Sequence, residues 1–60
     1  MVVEIPFRIR EEMQLNLCAY HRGIVSYVHL ENELKRYEKM RIPVQEFEIA
    51  MYQMREEKLK

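Results

Sequence analysis

Apolar residues recur every three or four positions through the first two thirds of the chain, which is the spacing of one face of an α-helix. The members of this stripe are Met13, Leu17, Tyr20, Ile24, Tyr27, Leu30, Leu34 and Tyr37. Because the spacing keeps its phase on both sides of Gly23, we predict helix over residues 10–40, as one long helix or as two helices that break near Gly23. Segment 23–30 is rich in β-branched and aromatic residues and would also suit a strand, but a strand has no need to keep the helical phase.

A C-terminal helix is predicted over residues 43–58. Proline disfavours helix at the residue before it and is tolerated in a first helical turn, so Pro43 marks the boundary. The three-and-four spacing resumes after it at Val44, Phe47, Met51 and Met54. A connection of two to four residues between this helix and the preceding one implies an antiparallel hairpin.

The N-terminal segment shows a different period. Apolar Val3, Ile5, Phe7 and Ile9 alternate with Glu4, Pro6 and Arg8. Alternation is typical of a strand, and Pro6 restricts such a strand to an edge because proline has no N–H to donate. The predicted fold is therefore a single mainly helical domain over residues 1–60, a helical hairpin or small three-helix unit with a short extended arm or strand over residues 1–9.

The middle of the chain carries more apolar residues than one short partner helix can cover. Ten of the sixteen residues from Leu15 to Leu30 are apolar, and Leu15, Cys18, Val25 and Val28 lie off the main stripe. A chain of this length buries only about 60% of its unfolded surface. We therefore expect a dimeric bundle, a homodimer or higher homo-oligomer that also contacts an unidentified protein partner. The expected interface consists of Leu17, Tyr20, Ile24, Tyr27, Val28 and Leu34.

Charge and cysteine content indicate which partners and which cellular compartment to expect. Ten basic and ten acidic residues cancel, so no global charge draws the chain to nucleic acid or to an anionic membrane. No apolar run approaches the roughly 18 residues of a spanning helix. The single cysteine, Cys18, excludes an intrachain disulfide, and residues 1–5 show no signal-peptide pattern, which together predict a cytoplasmic protein.

No catalytic, metal or cofactor motif is predicted. Cys18 and His21 share a helix face, but a structural zinc site needs four ligands and no second close pair exists. A cysteine nucleophile needs a base and an orienting group, and the chain contains no Asp. Cys18 is therefore predicted to be a buried core residue, Ser26 a helix cap or packed hydroxyl, and the paired glutamates solvated.

Two features suggest contact with nucleic acid. The first is the basic cluster Lys35, Arg36, Lys39 and Arg41, since phosphate neutralisation needs cations on one face. The second is the stretch 5–13 with Arg8, followed by Leu17, Tyr20 and Arg22-Gly23-Ile24, which resembles the ribbon-helix-helix DNA-binding repressors. That resemblance implies an α+β dimer whose paired N-terminal strands enter the major groove.

These observations lead to one expectation and one alternative. The expectation is a small regulatory or adaptor protein, not an enzyme, that acts by protein–protein interaction through an apolar helical face and associates with itself. The alternative is a dimeric DNA-binding transcriptional regulator of the ribbon-helix-helix type.

Overall fold

The computed structural model describes residues 5–60 and consists of three α-helices that pack against one another pairwise. Helix α1 spans Phe7–His21, α2 spans Tyr27–Lys39 and α3 spans Gln45–Lys58. Over residues 5–60 the backbone forms helices and connections and no strand. The predicted small three-helix unit is thus confirmed.

A single hydrophobic core lies between the three helices. Its buried side chains are Met13, Leu17, Tyr20, Leu30, Tyr37, Ile42, Phe47 and Met51. Leu30 and Tyr37 have no exposed surface, and the Tyr37 ring meets the Phe47 ring edge-on at a centroid distance of 5.4 Å. Each large apolar side chain buried in this way stabilises the fold by about 1.5–3 kcal/mol.

The predicted N-terminal arm is wrong for residues 7–9, because α1 already begins at Phe7. The Pro6 carbonyl accepts the first helical hydrogen bonds, from the backbone N–H groups of Ile9 and Arg10. Helical geometry brings Ile9 to the core face four residues before Met13 and leaves Phe7 exposed. The rest of the arm prediction falls on residues 5–6, which are neither helix nor strand, and on residues 1–4, which lie outside the described part of the chain.

The long helical stripe is broken at Gly23. This residue has φ 77°, and the bonds from Gly23 N–H to the Tyr20 carbonyl and from Ile24 N–H to the Ala19 carbonyl form a Schellman C-cap. Three residues later Ser26 caps α2, since its Oγ accepts a hydrogen bond from the His29 N–H at 3.4 Å. Segment 23–30 is therefore a turn followed by the first turn of α2.

The second turn repeats this cap without a glycine. Arg41 has φ 60°, its N–H donates to the Glu38 carbonyl, and the Ile42 N–H donates to the Tyr37 carbonyl. Ile42 is buried, which ties the turn to the core. Helix α3 begins at Gln45, two residues later than the predicted start at Pro43.

Candidate interaction surface

A polar network joins α1 to α2 at the edge of the core. The Tyr37 hydroxyl donates to Glu12 Oε1 at 2.9 Å and accepts from Asn16 Nδ2 at 2.9 Å. The other end of the same amide, Asn16 Oδ1, lies 3.1 Å from His29 Nε2. Four side chains from two helices thus form one continuous chain of hydrogen bonds.

The direction of every bond in this chain follows from Glu12. An ionised carboxylate only accepts, so the single Tyr37 hydrogen must point at Glu12 and Asn16 must present its NH₂ group to the Tyr37 oxygen. Asn16 Oδ1 then faces His29, whose Nε2 must carry a hydrogen. Burial raises the pKa of the Tyr37 hydroxyl, so this group remains a neutral donor at ordinary pH.

Arg36 extends the network to the surface. Its guanidinium donates to Glu33 Oε2 through Nε at 3.1 Å and through Nη2 at 2.6 Å, and Nη2 is also paired with Glu12. The same group lies 4.9 Å from the centroid of the Tyr37 ring. Glu12 therefore links α1 to α2, whereas the pair of Arg36 with Glu33 lies within α2. Both carboxylates have cationic partners, so the prediction that the paired glutamates are simply solvated is wrong for Glu12 and Glu33.

A second cluster holds α3 against the end of α1. Lys58 Nζ donates to the Tyr20 carbonyl and lies 4.1 Å from the centroid of the Tyr20 ring. The Arg55 guanidinium lies 4.8 Å from the centroid of the Tyr27 ring, which is itself 5.6 Å from that of Tyr20. A cation at the C-terminal end of α1 is favoured by the helix dipole. These contacts and the Tyr37 network hold the outer surfaces of the helices in a fixed orientation.

Several large apolar side chains point away from this core. They are Phe7, Leu15, Ile24, Val28, Met40, Ile49, Tyr52 and Leu59, each between 46% and 72% exposed. Contiguous exposed apolar patches are typical of interaction sites. The surface of interest is therefore the side of each helix that faces away from the core.

On α1 and α3, exposed residues recur at regular helical spacing on the side that faces away from the core. The α1 outer face consists of the exposed residues Phe7, Glu11, Leu15, Cys18 and Arg22. The α3 outer face consists of the exposed residues Gln45, Ile49, Tyr52, Glu56 and Leu59. Their spacings of three and four residues place the members of each set on one side of a helix. Phe7, Glu11 and Leu15 line one shallow depression, and Ile49 and Tyr52 line another.

The residues predicted to form an interface differ in exposure: the fold buries some of them and leaves others on the surface. Leu17 and Tyr20 are buried in the core, where a partner of this folded chain cannot reach them. Tyr27 and Leu34 are half-buried and pack against the same core. Only Ile24 and Val28 are exposed, at 71% and 61%. The regular apolar stripe thus stabilises the chain itself, and the exposed apolar residues are mostly those off the stripe.

Cys18 is exposed, so its predicted burial is wrong. It lies on the opposite side of α1 from the core residues, next to Leu15 on the α1 outer face. Within residues 5–60 no three His, Cys or Glu side chains converge into a group that could hold a metal ion. His21 is also exposed, at the end of α1.

One of the predicted nucleic-acid contacts, Arg36, is already paired with carboxylates. Arg36 is committed to Glu12 and Glu33, whereas Arg8, Lys35, Lys39 and Arg41 are exposed on α1, α2 and the second turn. The strand that a ribbon-helix-helix dimer would pair is helical from Phe7 onward. Nucleic-acid binding by these cations stays a prediction.

The chain matches no protein-family model, no curated protein and no solved structure. Among the helices of the described residues, none has both the length and the apolar character needed to cross a bilayer.

The residues of the α1 outer face were not among the predicted interface residues, although the sequence contains a signal for them. Glu11, Leu15, Cys18 and Arg22 follow one another at spacings of four, three and four residues. This is the spacing of a helix–helix seam. The signal is weak because only two of these four residues are apolar, whereas all eight residues of the main stripe are.

Proposed function

We propose that this protein is a small regulatory or adaptor module that acts by protein–protein interaction and associates with itself. The observation that carries the proposal is the exposure of Phe7 and Leu15 on α1, at 72% and 70%, and of Ile49 and Tyr52 on α3, at 56% and 57%. These side chains lie on helix sides that the core does not use.

The chain cannot cover these residues by a small rearrangement. Its core is already filled by side chains from all three helices, and the polar network at Tyr37 fixes α1 against α2. Covering a large apolar side chain gains about 1.5–3 kcal/mol. Association with another protein surface obtains that gain without opening the core.

Two outer faces on two different helices suit an adaptor. The first face, on α1, is available for a second copy, and the second face, on α3, remains open for a partner protein when α1 is covered. In this role the protein brings together or masks other surfaces and performs no chemistry of its own.

Sedimentation equilibrium from about 1 to 300 µM protomer tests the proposal. Wild-type protein is expected to associate reversibly, and Leu15→Glu is expected to remain monomeric, because a buried unpaired carboxylate is costly. Asn32→Glu is the matched control, since Asn32 is an exposed polar residue of α2. A well-folded wild-type monomer at every concentration would overturn self-association.

A further inference from the structure

We propose that two copies of this chain pair through their α1 outer faces in an antiparallel orientation, with the twofold axis midway between Leu15 and Cys18. In this register Leu15 packs against Cys18 of the partner subunit, and Glu11 forms an ion pair with Arg22 of the partner subunit. The inference rests on the proposed function, because it specifies the self-association proposed there.

The spacing of the α1 outer face fits this geometry. Positions 11, 15, 18 and 22 follow the alternation of four and three residues that keeps one side of a helix against a partner helix. Residues 11 and 22 are also symmetric about the same midpoint as residues 15 and 18. An antiparallel twofold axis at this midpoint therefore places residue 15 opposite residue 18 of the partner subunit and residue 11 opposite residue 22 at the same time.

Charge selects the antiparallel orientation. Glu11 and Arg22 are both exposed, and within residues 5–60 neither is part of an ion pair. A parallel pair would place Glu11 against Glu11 and Arg22 against Arg22, which is unfavourable for like charges. The antiparallel pair instead forms two identical acid–base contacts, one on each side of the axis.

Charge also fixes the register. A shift of seven residues in one direction would place Glu11 opposite Leu15 of the partner subunit. The same shift in the other direction would place Arg22 opposite Cys18 of the partner subunit. An unpaired charge against an apolar or thiol side chain is costly when it is desolvated. Only the unshifted register combines an apolar centre with paired charges at both ends.

The α3 outer face lacks this self-complementarity. Antiparallel pairing about a point midway between Ile49 and Tyr52 would bring those two side chains together. It would also bring Glu56 against Gln45 of the partner subunit, and the face contains no basic residue. Two copies of α3 therefore gain no acid–base contact within the face, which distinguishes α1 as the self-association surface.

The ends of the paired helices add apolar contact. At a rise of 1.5 Å per residue, Phe7 lies about 14 Å from the twofold axis, whereas α1 ends at His21, about 7 Å from the axis on the opposite side. In the antiparallel dimer Phe7 therefore extends beyond the end of α1 of the partner subunit, toward the turn at Gly23 of the partner subunit. Phe7 and Ile24 are 72% and 71% exposed, which leaves both available for this contact.

A charge-swap series tests the register by sedimentation equilibrium. Glu11→Arg and Arg22→Glu each place like charges at both ends of the seam and are expected to weaken the dimer by roughly tenfold. The double variant Glu11→Arg/Arg22→Glu restores both acid–base contacts and is expected to return within about threefold of wild type. Glu56→Arg, on the α3 outer face, is the matched control and is expected to leave the dimer unchanged.

Disulfide trapping gives a second test that does not depend on stability. Wild-type protein is mixed with the double variant Leu15→Cys/Cys18→Ser and oxidised gently, so that each chain contributes one thiol at a different position. The antiparallel register predicts mainly the mixed disulfide, because the introduced thiol faces Cys18 of the partner subunit. A parallel pair would give disulfides between identical chains.

The outcomes separate the two proposals. A wild-type dimer with no rescue in the double charge swap, or with disulfides mainly between identical chains, overturns the α1 register and leaves self-association intact. A wild-type monomer overturns both. A wild-type dimer with rescue and with the mixed disulfide supports both.

Discussion

Removal of the Tyr37 hydroxyl tests whether the polar network holds α1 against α2. Tyr37→Phe keeps the buried ring and its edge-on contact with Phe47, but it deletes the donor to Glu12 and the acceptor for Asn16. A hydrogen bond to a charged group contributes about 1.5–3 kcal/mol, and a neutral one about 0.5–1.5 kcal/mol. Glu12 is partly exposed and keeps its contact with Arg36, so water and Arg36 offset part of the loss.

We therefore expect Tyr37→Phe to lower the free energy of unfolding by about 2 kcal/mol. A single core of this size supplies only about 3–5 kcal/mol, so the variant should be near the limit of stability at room temperature. The measurement is urea denaturation followed by circular dichroism at 222 nm, at one fixed protomer concentration because association contributes to stability. Tyr52→Phe is the matched control, since the Tyr52 ring is 57% exposed on α3.

Tyr37→Phe and Tyr52→Phe also test how much of the pH dependence of stability comes from the Tyr37 hydroxyl. The pKa of Tyr37 is raised in the folded protein by burial, so its contribution is complete below the unfolded pKa and is lost as the pH rises through the folded pKa. Wild-type stability should therefore fall above about pH 10, and Tyr37→Phe should show a smaller fall than Tyr52→Phe. A loss of less than about 0.5 kcal/mol for Tyr37→Phe, equal to that of the control, would refute the structural role of the network.

Further predictions concern the turns, the thiol and the cations. Arg41→Gly should raise the free energy of unfolding by about 0.5–1 kcal/mol because Arg41 has φ 60°, and a loss of stability in urea titration would contradict this. Gly23→Ala should lower it by about 1 kcal/mol in the same titration, through backbone strain alone, since a Cβ there meets nothing within 4 Å. Cys18 should react readily with a thiol reagent in dilute native protein and several-fold more slowly at high protein concentration, because dimerisation buries the α1 outer face. Equal reaction rates at both concentrations would contradict burial of that face. In gel shifts at low salt, Lys35→Glu and Lys39→Glu should both reduce any binding to duplex DNA if those cations contact phosphate, and unchanged binding would remove them as contacts.

Periodicity predicted most of the core but could not distinguish periods over a short segment. Leu30 and Tyr37 lie on the predicted stripe and are fully buried. In the N-terminal segment, however, Ile5 and Ile9 are two strand repeats apart and also four residues apart, so they fit a strand and a helix equally. The helix was decided by packing of Ile9 against the core, which the sequence alone does not display.

The polar contacts were beyond the reach of sequence patterns. Tyr37 belongs to an apolar stripe, and its hydroxyl partners lie 21 and 25 residues earlier in the chain. Such pairs form only once the first turn has reversed the chain direction. The α1 outer face was accessible in principle, since it follows from local spacing, but its importance depends on the core having left Leu15 and Cys18 outside.

Isotope-filtered NMR on a mixture of labelled and unlabelled protein tests whether two chains pair through their α1 outer faces, because it reports contacts between copies only. We expect intermolecular nuclear Overhauser effects between the Leu15 methyl groups and the β protons of Cys18 of the partner subunit. Intermolecular effects confined to Ile49 and Tyr52, or none at concentrations well above the dissociation constant, would contradict it.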